Sequence, residues 1–177
     1  EPMCFFLCYL TLIDLPLSLT TTPTLLAILW FGALPISLSE CFTQMYFVHI
    51  LVLAESGILA AMAYDRYVAI CSPLRYASIL NNKLVLNIML AVTGRSIFLT
   101  LPVPLFAARL RYCSSNLIRY PYCNNLAVTK LSCDDISLSS MYQMIAINAM
   151  MVGDLTLIFL SYCLIIYAVM KLRAEGA

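Results

Sequence analysis

The chain has 177 residues, of which 63% are apolar and 11% charged, with a formal net charge of +1. Ordinary soluble domains carry about 25% charged residues, so this composition excludes a soluble globule. The near-zero charge also excludes the basic footprint that nucleic acid requires.

A helix needs about 20 mostly apolar residues to cross the ~30 Å hydrocarbon core. Four stretches meet that length, about 3–31, 41–70, 84–106 and 139–170. They predict an all-α integral membrane fold in a single domain. The first stretch lacks a basic leader and a small-residue cleavage site, so it reads as a true span and not as a signal peptide. Pro16, Pro23, Pro102 and Pro104 are expected to kink or end helices, which neighbouring helices accommodate in a membrane. The opening Glu1-Pro2-Met3 and the ending Arg173 to Ala177 read as the edges of a piece of a longer protein.

Lys and Arg orient the spans. Arg66, Arg75, Lys83, Lys171 and Arg173 fall on one side, and Arg109, Arg111, Arg119 and Lys130 on the other. The positive-inside rule favours the first set as cytoplasmic by one charge. Cysteine strengthens this assignment, because Cys41, Cys113, Cys123 and Cys133 all fall on the face opposite Arg66, where disulfides persist. The loop over about 107–138 is therefore extracellular. Four cysteines allow two bridges in three connectivities. Cys4, Cys8, Cys71 and Cys163 read as unpaired thiols. No histidine or acidic cluster completes a zinc site with the loop cysteines.

Ionisable residues inside spans carry a cost and need a partner, a proton or an ion. Asp14 lies ~14 Å above Phe5, and Glu55 lies ~16 Å above Arg66 at the same cytoplasmic level, so the two carboxylates sit at similar depth. Eleven residues, about three turns, separate Glu55 from Arg66, which places both on one helix face. Arg95 and Asp154 are also intramembrane; each reads as a hydrogen-bonding or snorkelling residue. His49, the only histidine, lies ~12 Å below the outer surface. Val52, Leu53 and Ser56 follow it at the i+3, i+4 and i+7 positions. That depth suits a small-molecule pocket between helices. No HExxH, GxSxG or phosphate-cradling glycine loop is present, so no enzymatic activity is expected.

The run MAYDRYVAICSPLRY, from Met62 to Tyr76, resembles the signature of olfactory receptors among the rhodopsin-like G-protein-coupled receptors. PMCFFL and LTLIDL in the first span, Cys41 placed 25 residues before Arg66, loop cysteines spaced by ten and GDLTLIFLSY (Gly153 to Tyr162) extend the likeness. The long loop and the run CFTQMYFVHILVLAESGIL resemble the class I, or fish-like, branch. The resemblance implies a seven-transmembrane-helix bundle, of which the four spans are helices two to five.

By that resemblance Arg66 is the G-protein contact, restrained by Asp65 and flanked by Tyr67, with Pro73, Leu74 and Tyr162 as further coupling residues. Asp14 and Glu55 form a site for a sodium ion or a proton, with no other metal or cofactor. His49, Val52, Leu53, Asn125, Leu126, Ile147 and Met150 line the odorant pocket. The disulfides pair Cys41 with Cys123 and Cys113 with Cys133. The implied protein sits multi-pass in the plasma membrane, senses small odorants, carboxylic acids among them, and activates a stimulatory olfactory-type G protein. A non-olfactory rhodopsin-like receptor and a membrane transporter are the alternatives; the transporter should show repeated halves and broken helices, and neither is visible.

Overall fold

The computed structural model describes residues 2–32, 38–111, 132–133 and 137–175. Its elements in chain order are α1 (Pro2–Phe31), α2 (Leu38–Cys71), a 3₁₀ turn (Pro73–Arg75), α3 (Tyr76–Ile79), α4 (Asn82–Thr100), α5 (Pro102–Ala108) and α6 (Ser137–Glu175). Four helical stretches are long and apolar enough to cross a membrane: Pro2–Phe31, Ser39–Cys71, Asn82–Ala108 and Ser137–Ala174.

Local chemistry sets the boundaries. Gly32, at φ +75°, turns the chain out of α1 in a conformation that L side chains resist. Ser72 precedes Pro73 and leaves the helical region at φ −142°, which ends α2 where proline would crowd a helical predecessor. The Asn81 side chain accepts from the Leu84 backbone N–H at 2.8 Å and caps the start of α4. Pro102 has no N–H to donate, and it separates α4 from α5 within one span. Pro16 and Pro23 do not end α1, which stays helical through both. The Thr20 and Thr21 hydroxyls donate to carbonyls three and four residues back, a habit that bends helices gently.

The long helix α2 is the hub, packing against α1, α4, α5 and α6. Small residues let this happen: Ala54, Gly57, Ala60 and Ala63 are all buried along it. In lipid there is no hydrophobic drive between helices, so close backbone approach and polar contacts hold them together. Phe6 and Ile13 of α1 meet Ala54, Ile58 and Val68 of α2 and Val85 of α4 in one apolar cluster, with Leu80 beneath. A second cluster joins Met45, Val103 and Ala107, against which Ile147 packs. Leucines such as Leu12, Leu15, Leu29, Leu90 and Leu155 face outward, as lipid allows.

Gly57 marks the tightest approach. A Cβ built there would stand 2.7 Å from Val92 Cγ1 and 2.8 Å from Arg95 Nη2. Gly57→Ala is therefore expected to push α4 from α2 and to cost about 1–3 kcal/mol, the usual range for overpacking. Thermal melting of the detergent-solubilised protein checks it, and an unchanged midpoint would refute the close contact.

Candidate functional site

Among the described residues, three constellations of polar groups stand out inside the bundle. The deepest joins three helices. Arg95 of α4 donates both guanidinium nitrogens to Asp154 of α6, at 3.0 Å to Oδ1 and 2.8 Å to Oδ2. Ser56 of α2 donates to the same Oδ2 at 2.7 Å. The Asp154 side chain is 4% exposed, whereas Arg95 is 30% exposed. A carboxylate at that depth needs charge and hydrogen bonds together, and a bidentate fork supplies both. The individual reading of Arg95 and Asp154 as separate structural residues thus gives way to a shared ion pair. Asp154 also stands between two small cavities. One, of about 280 Å³, is bounded by Gly57, Ala60, Val92 and Arg95. The other, of about 180 Å³, is bounded by Val52, Glu55, Ser56, Leu59 and Met151.

The second constellation lies in the outer half. His49 Nδ1 is 2.7 Å from the Met45 carbonyl, and His49 Nε2 is 3.0 Å from Gln143 Nε2 on α6. With hydrogen on Nδ1, the ring donates to Met45 and accepts from Gln143. Both nitrogens are then satisfied, and the α2–α6 gap is bridged. Close by, the Tyr142 hydroxyl donates to the Leu99 carbonyl at 3.0 Å, and its ring meets Phe106 edge-on. Of the residues expected beside His49, Val52 lines the smaller cavity, Leu53 is 1% exposed, Ile147 packs on the Met45 cluster and Met150 is half-buried. Asn125 and Leu126 lie outside the described residues. Gln143 was not among the expected residues, although an amide in an apolar span is itself a signal of a partner.

The third constellation is at the cytoplasmic end of α2. Asp65 is buried and accepts from the Tyr76 hydroxyl at 2.8 Å. Arg66 is exposed, and its guanidinium lies against Met3 Sδ of α1. No ion pair joins Asp65 to Arg66: neighbours on a helix point about 100° apart, so Asp65 turns inward to the Pro73–Arg75 turn and α3 while Arg66 turns outward. Tyr67 packs against the main apolar cluster, 6.4 Å from the Tyr64 ring. Pro73 is exposed, Leu74 is 100% exposed and Tyr162 is half-exposed on α6.

Asp14 of α1 and Glu55 of α2 both sit half-buried on helices that pack against each other. No group of three or more metal-ligating side chains occurs among the described residues. On the cytoplasmic side of Asp14, the hydroxyl of Tyr9 pairs with Thr93 and ties α1 to α4. Cys41 and Cys133 are both disulfide-bonded, while Cys4, Cys8, Cys71 and Cys163 are free thiols. The expected partners Cys123 and Cys113 lie outside the described residues.

An apolar bundle of four membrane-length helices with an ion pair between two of them defines a multi-pass membrane protein. The sequence profile of the olfactory receptor family matches residues 1–177, and the chain belongs to that family. It is 45% identical over 177 residues to olfactory receptor 56A4 of Homo sapiens, covering all of this chain and 56% of that protein. It is 47% identical to olfactory receptor 56B2 of Homo sapiens, again over all of this chain and 56% of the relative. Olfactory receptor 56B34 of Mus musculus is 46% identical over 178 residues, with 55% of its length covered. The chain thus spans little more than half the length of these relatives. Families 52 and 56 are class I-like, in agreement with the branch read from the sequence. Proteins of this family are multi-pass residents of the plasma membrane.

Proposed function

We propose that the protein containing this chain is an odorant-sensing receptor that binds small organic molecules between its helices and activates a stimulatory G protein of the olfactory type. The observation that carries this reading is the match to the olfactory receptor family over the whole chain. Two features of the geometry support it. Polar groups in the outer half, His49 and Gln143, bridge α2 and α6 at the depth of a small-molecule pocket. At the opposite end Arg66, Pro73 and Leu74 are exposed together, with Tyr162 half-exposed on α6. A ligand that prefers one spacing of α2 and α6 shifts the bundle between two states, and the exposed cytoplasmic residues report that shift to the G protein.

In this reading His49 Nε2 exchanges its Gln143 partner for a hydrogen-bond donor on the odorant, and the released Gln143 amide donates to the carboxylate of an acid ligand. A panel of odorants against the full-length receptor, read as cAMP, tests the function. His49→Ala is expected to raise the half-maximal concentration of the best ligand about tenfold, the 1.4 kcal/mol of one lost hydrogen bond. An unchanged response to every ligand would remove His49 from the pocket. Uptake of labelled ligand without G-protein activation would favour the transporter instead.

Asp14 and Glu55 are read as a site for sodium or a proton that favours the resting state. Two carboxylates at similar depth on packed helices are stabilised by a shared cation. Sodium is expected to weaken agonist potency in the parent receptor and to have no effect in Asp14→Asn. A parent receptor indifferent to sodium would reject the ion site.

A further inference from the structure

A cleft of about 520 Å³ opens between the outer halves of α1 and α2, lined by Thr20, Thr24, Ser39, Glu40, Thr43, Gln44 and Phe47. It lies on the other side of α2 from the His49 constellation: Gln44 reaches α1, whereas His49 reaches α6. Six of its seven lining side chains are polar, at a level where α1 is otherwise lined by lipid-facing leucines. Thr20 and Thr24 stand ~9 and ~15 Å outward of Asp14 along the helix.

The hydrogen bonds decide what this cleft can hold. The Thr20 hydroxyl donates to the Pro16 and Leu17 carbonyls, at 2.9 and 3.0 Å. The Thr24 hydroxyl donates to the Thr20 carbonyl at 3.3 Å, and Thr43 donates to Ser39 at 2.9 Å. The Gln44 amide nitrogen is committed to the Thr20 carbonyl at 3.2 Å and to Thr24 Oγ1 at 3.4 Å. Three hydroxyl hydrogens and the amide hydrogens are therefore spent on the protein. What remains facing the cleft is a set of acceptors: threonine lone pairs and the Gln44 carbonyl oxygen. Glu40 adds a carboxylate at the rim, and the acceptor excess holds without it. Phe47 supplies one aromatic wall.

We propose that this cleft is a second binding site, for a small organic ammonium ion, separate from the odorant pocket. An ammonium group carries three donors and no acceptor, which matches a lining in which acceptors outnumber the donors left over. Its alkyl portion lies on Phe47, whose ring face also attracts the charge. A carboxylic acid, which arrives as an anion at neutral pH, needs donors, and the Thr20, Thr24, Thr43 and Gln44 donors are already spent on the protein. Bound between Thr24 and Gln44, the ammonium ion bridges α1 and α2 near their outer ends and fixes their spacing.

Thiol labelling tests this without knowing the natural ligand or relying on signalling. Thr24→Cys, and separately Thr43→Cys, are made in the full-length protein, with the lipid-facing Leu25→Cys as control and the parent chain as background for its own free cysteines. Each is treated in membranes with 2-aminoethyl methanethiosulfonate or 2-sulfonatoethyl methanethiosulfonate, and rates are divided by those for a free thiol in solution. The cationic reagent is expected to be favoured about tenfold at Thr24→Cys and Thr43→Cys, the size of one extra hydrogen bond to its ammonium group. Millimolar n-butylammonium is expected to slow that reaction, while n-butyrate leaves it unchanged. Equal normalised rates for the two reagents at both positions, or no protection by n-butylammonium, would overturn the site. Protection by butyrate instead would overturn the ammonium assignment. None of these outcomes depends on odorant-driven cAMP, so the odorant reading stands or falls separately.

Discussion

Arg66→Ala in the full-length receptor is expected to abolish odorant-driven cAMP while the protein still reaches the cell surface. The structure gives the separation between those two readouts a physical basis. Arg66 is exposed at the end of α2, so its loss empties no core and strands no buried charge. Its neighbour Asp65, by contrast, is buried and bonded to Tyr76, and that contact holds the 3₁₀ turn and α3 against the helix end. Surface substitutions away from buried features stay within about 0.5 kcal/mol. The proposed coupling has the planar five-donor fork of Arg66 meet carbonyls of the G protein, so Arg66→Lys, which keeps the charge but not the fork, is expected to recover only part of the response. Undiminished cAMP in Arg66→Ala would sink the coupling assignment; loss of surface protein would show Arg66 to be structural.

The second large effect belongs to the Arg95–Asp154 pair. Asp154→Leu alone leaves the Arg95 guanidinium in the bundle without its carboxylate, and breaking a buried pair from one side costs about 3–5 kcal/mol. That is a factor of about 10² to 5 × 10³ in the folding equilibrium, so the single variant is expected to be retained inside the cell. Removing both charges, as Arg95→Met with Asp154→Leu, leaves nothing unpaired. The double variant is expected to recover most surface expression, because apolar replacements of a buried pair are often neutral. Ser56→Ala, which removes one hydroxyl donor to a carboxylate that keeps its arginine, is expected to cost about 1–2 kcal/mol. Quantitative surface immunolabelling and melting in detergent check the series. A double variant no better than the single one would show that the pair does more than compensate its own burial.

These two predictions differ in how much of them was visible along the chain. Arg66 stands in a motif whose neighbours, Asp65, Tyr67, Pro73 and Leu74, announce its place at a cytoplasmic helix end. The expectation that Asp65 restrains Arg66 did not anticipate Tyr76, eleven residues on, whose hydroxyl meets Asp65 because the chain doubles back at Ser72-Pro73. Arg95 and Asp154 were each recognisable as costly residues in apolar spans. Nothing in their separation of 59 positions says that they meet. The same holds for His49 and Gln143, 94 positions apart. The acceptor lining between Thr20, Thr24, Thr43 and Gln44 was invisible for a further reason: it depends on where each hydroxyl hydrogen goes, and that is set by helix carbonyls.

What the amino-acid order determined by itself is the part governed by one-dimensional rules: four apolar stretches of spanning length, about 3–31, 41–70, 84–106 and 139–170, and the family written in the Met62 to Tyr76 run. Hydrocarbon thickness, proline's missing donor and side-chain capping act on consecutive residues, so they are legible in sequence. Only the tertiary structure decided which polar groups share a contact. Azimuth around each helix and the closeness allowed by Ala54, Gly57, Ala60 and Ala63 bring Arg95, Asp154 and Ser56 together. In a membrane every buried charge must find a partner, but which partner it finds is a matter of helix packing and not of spacing along the chain.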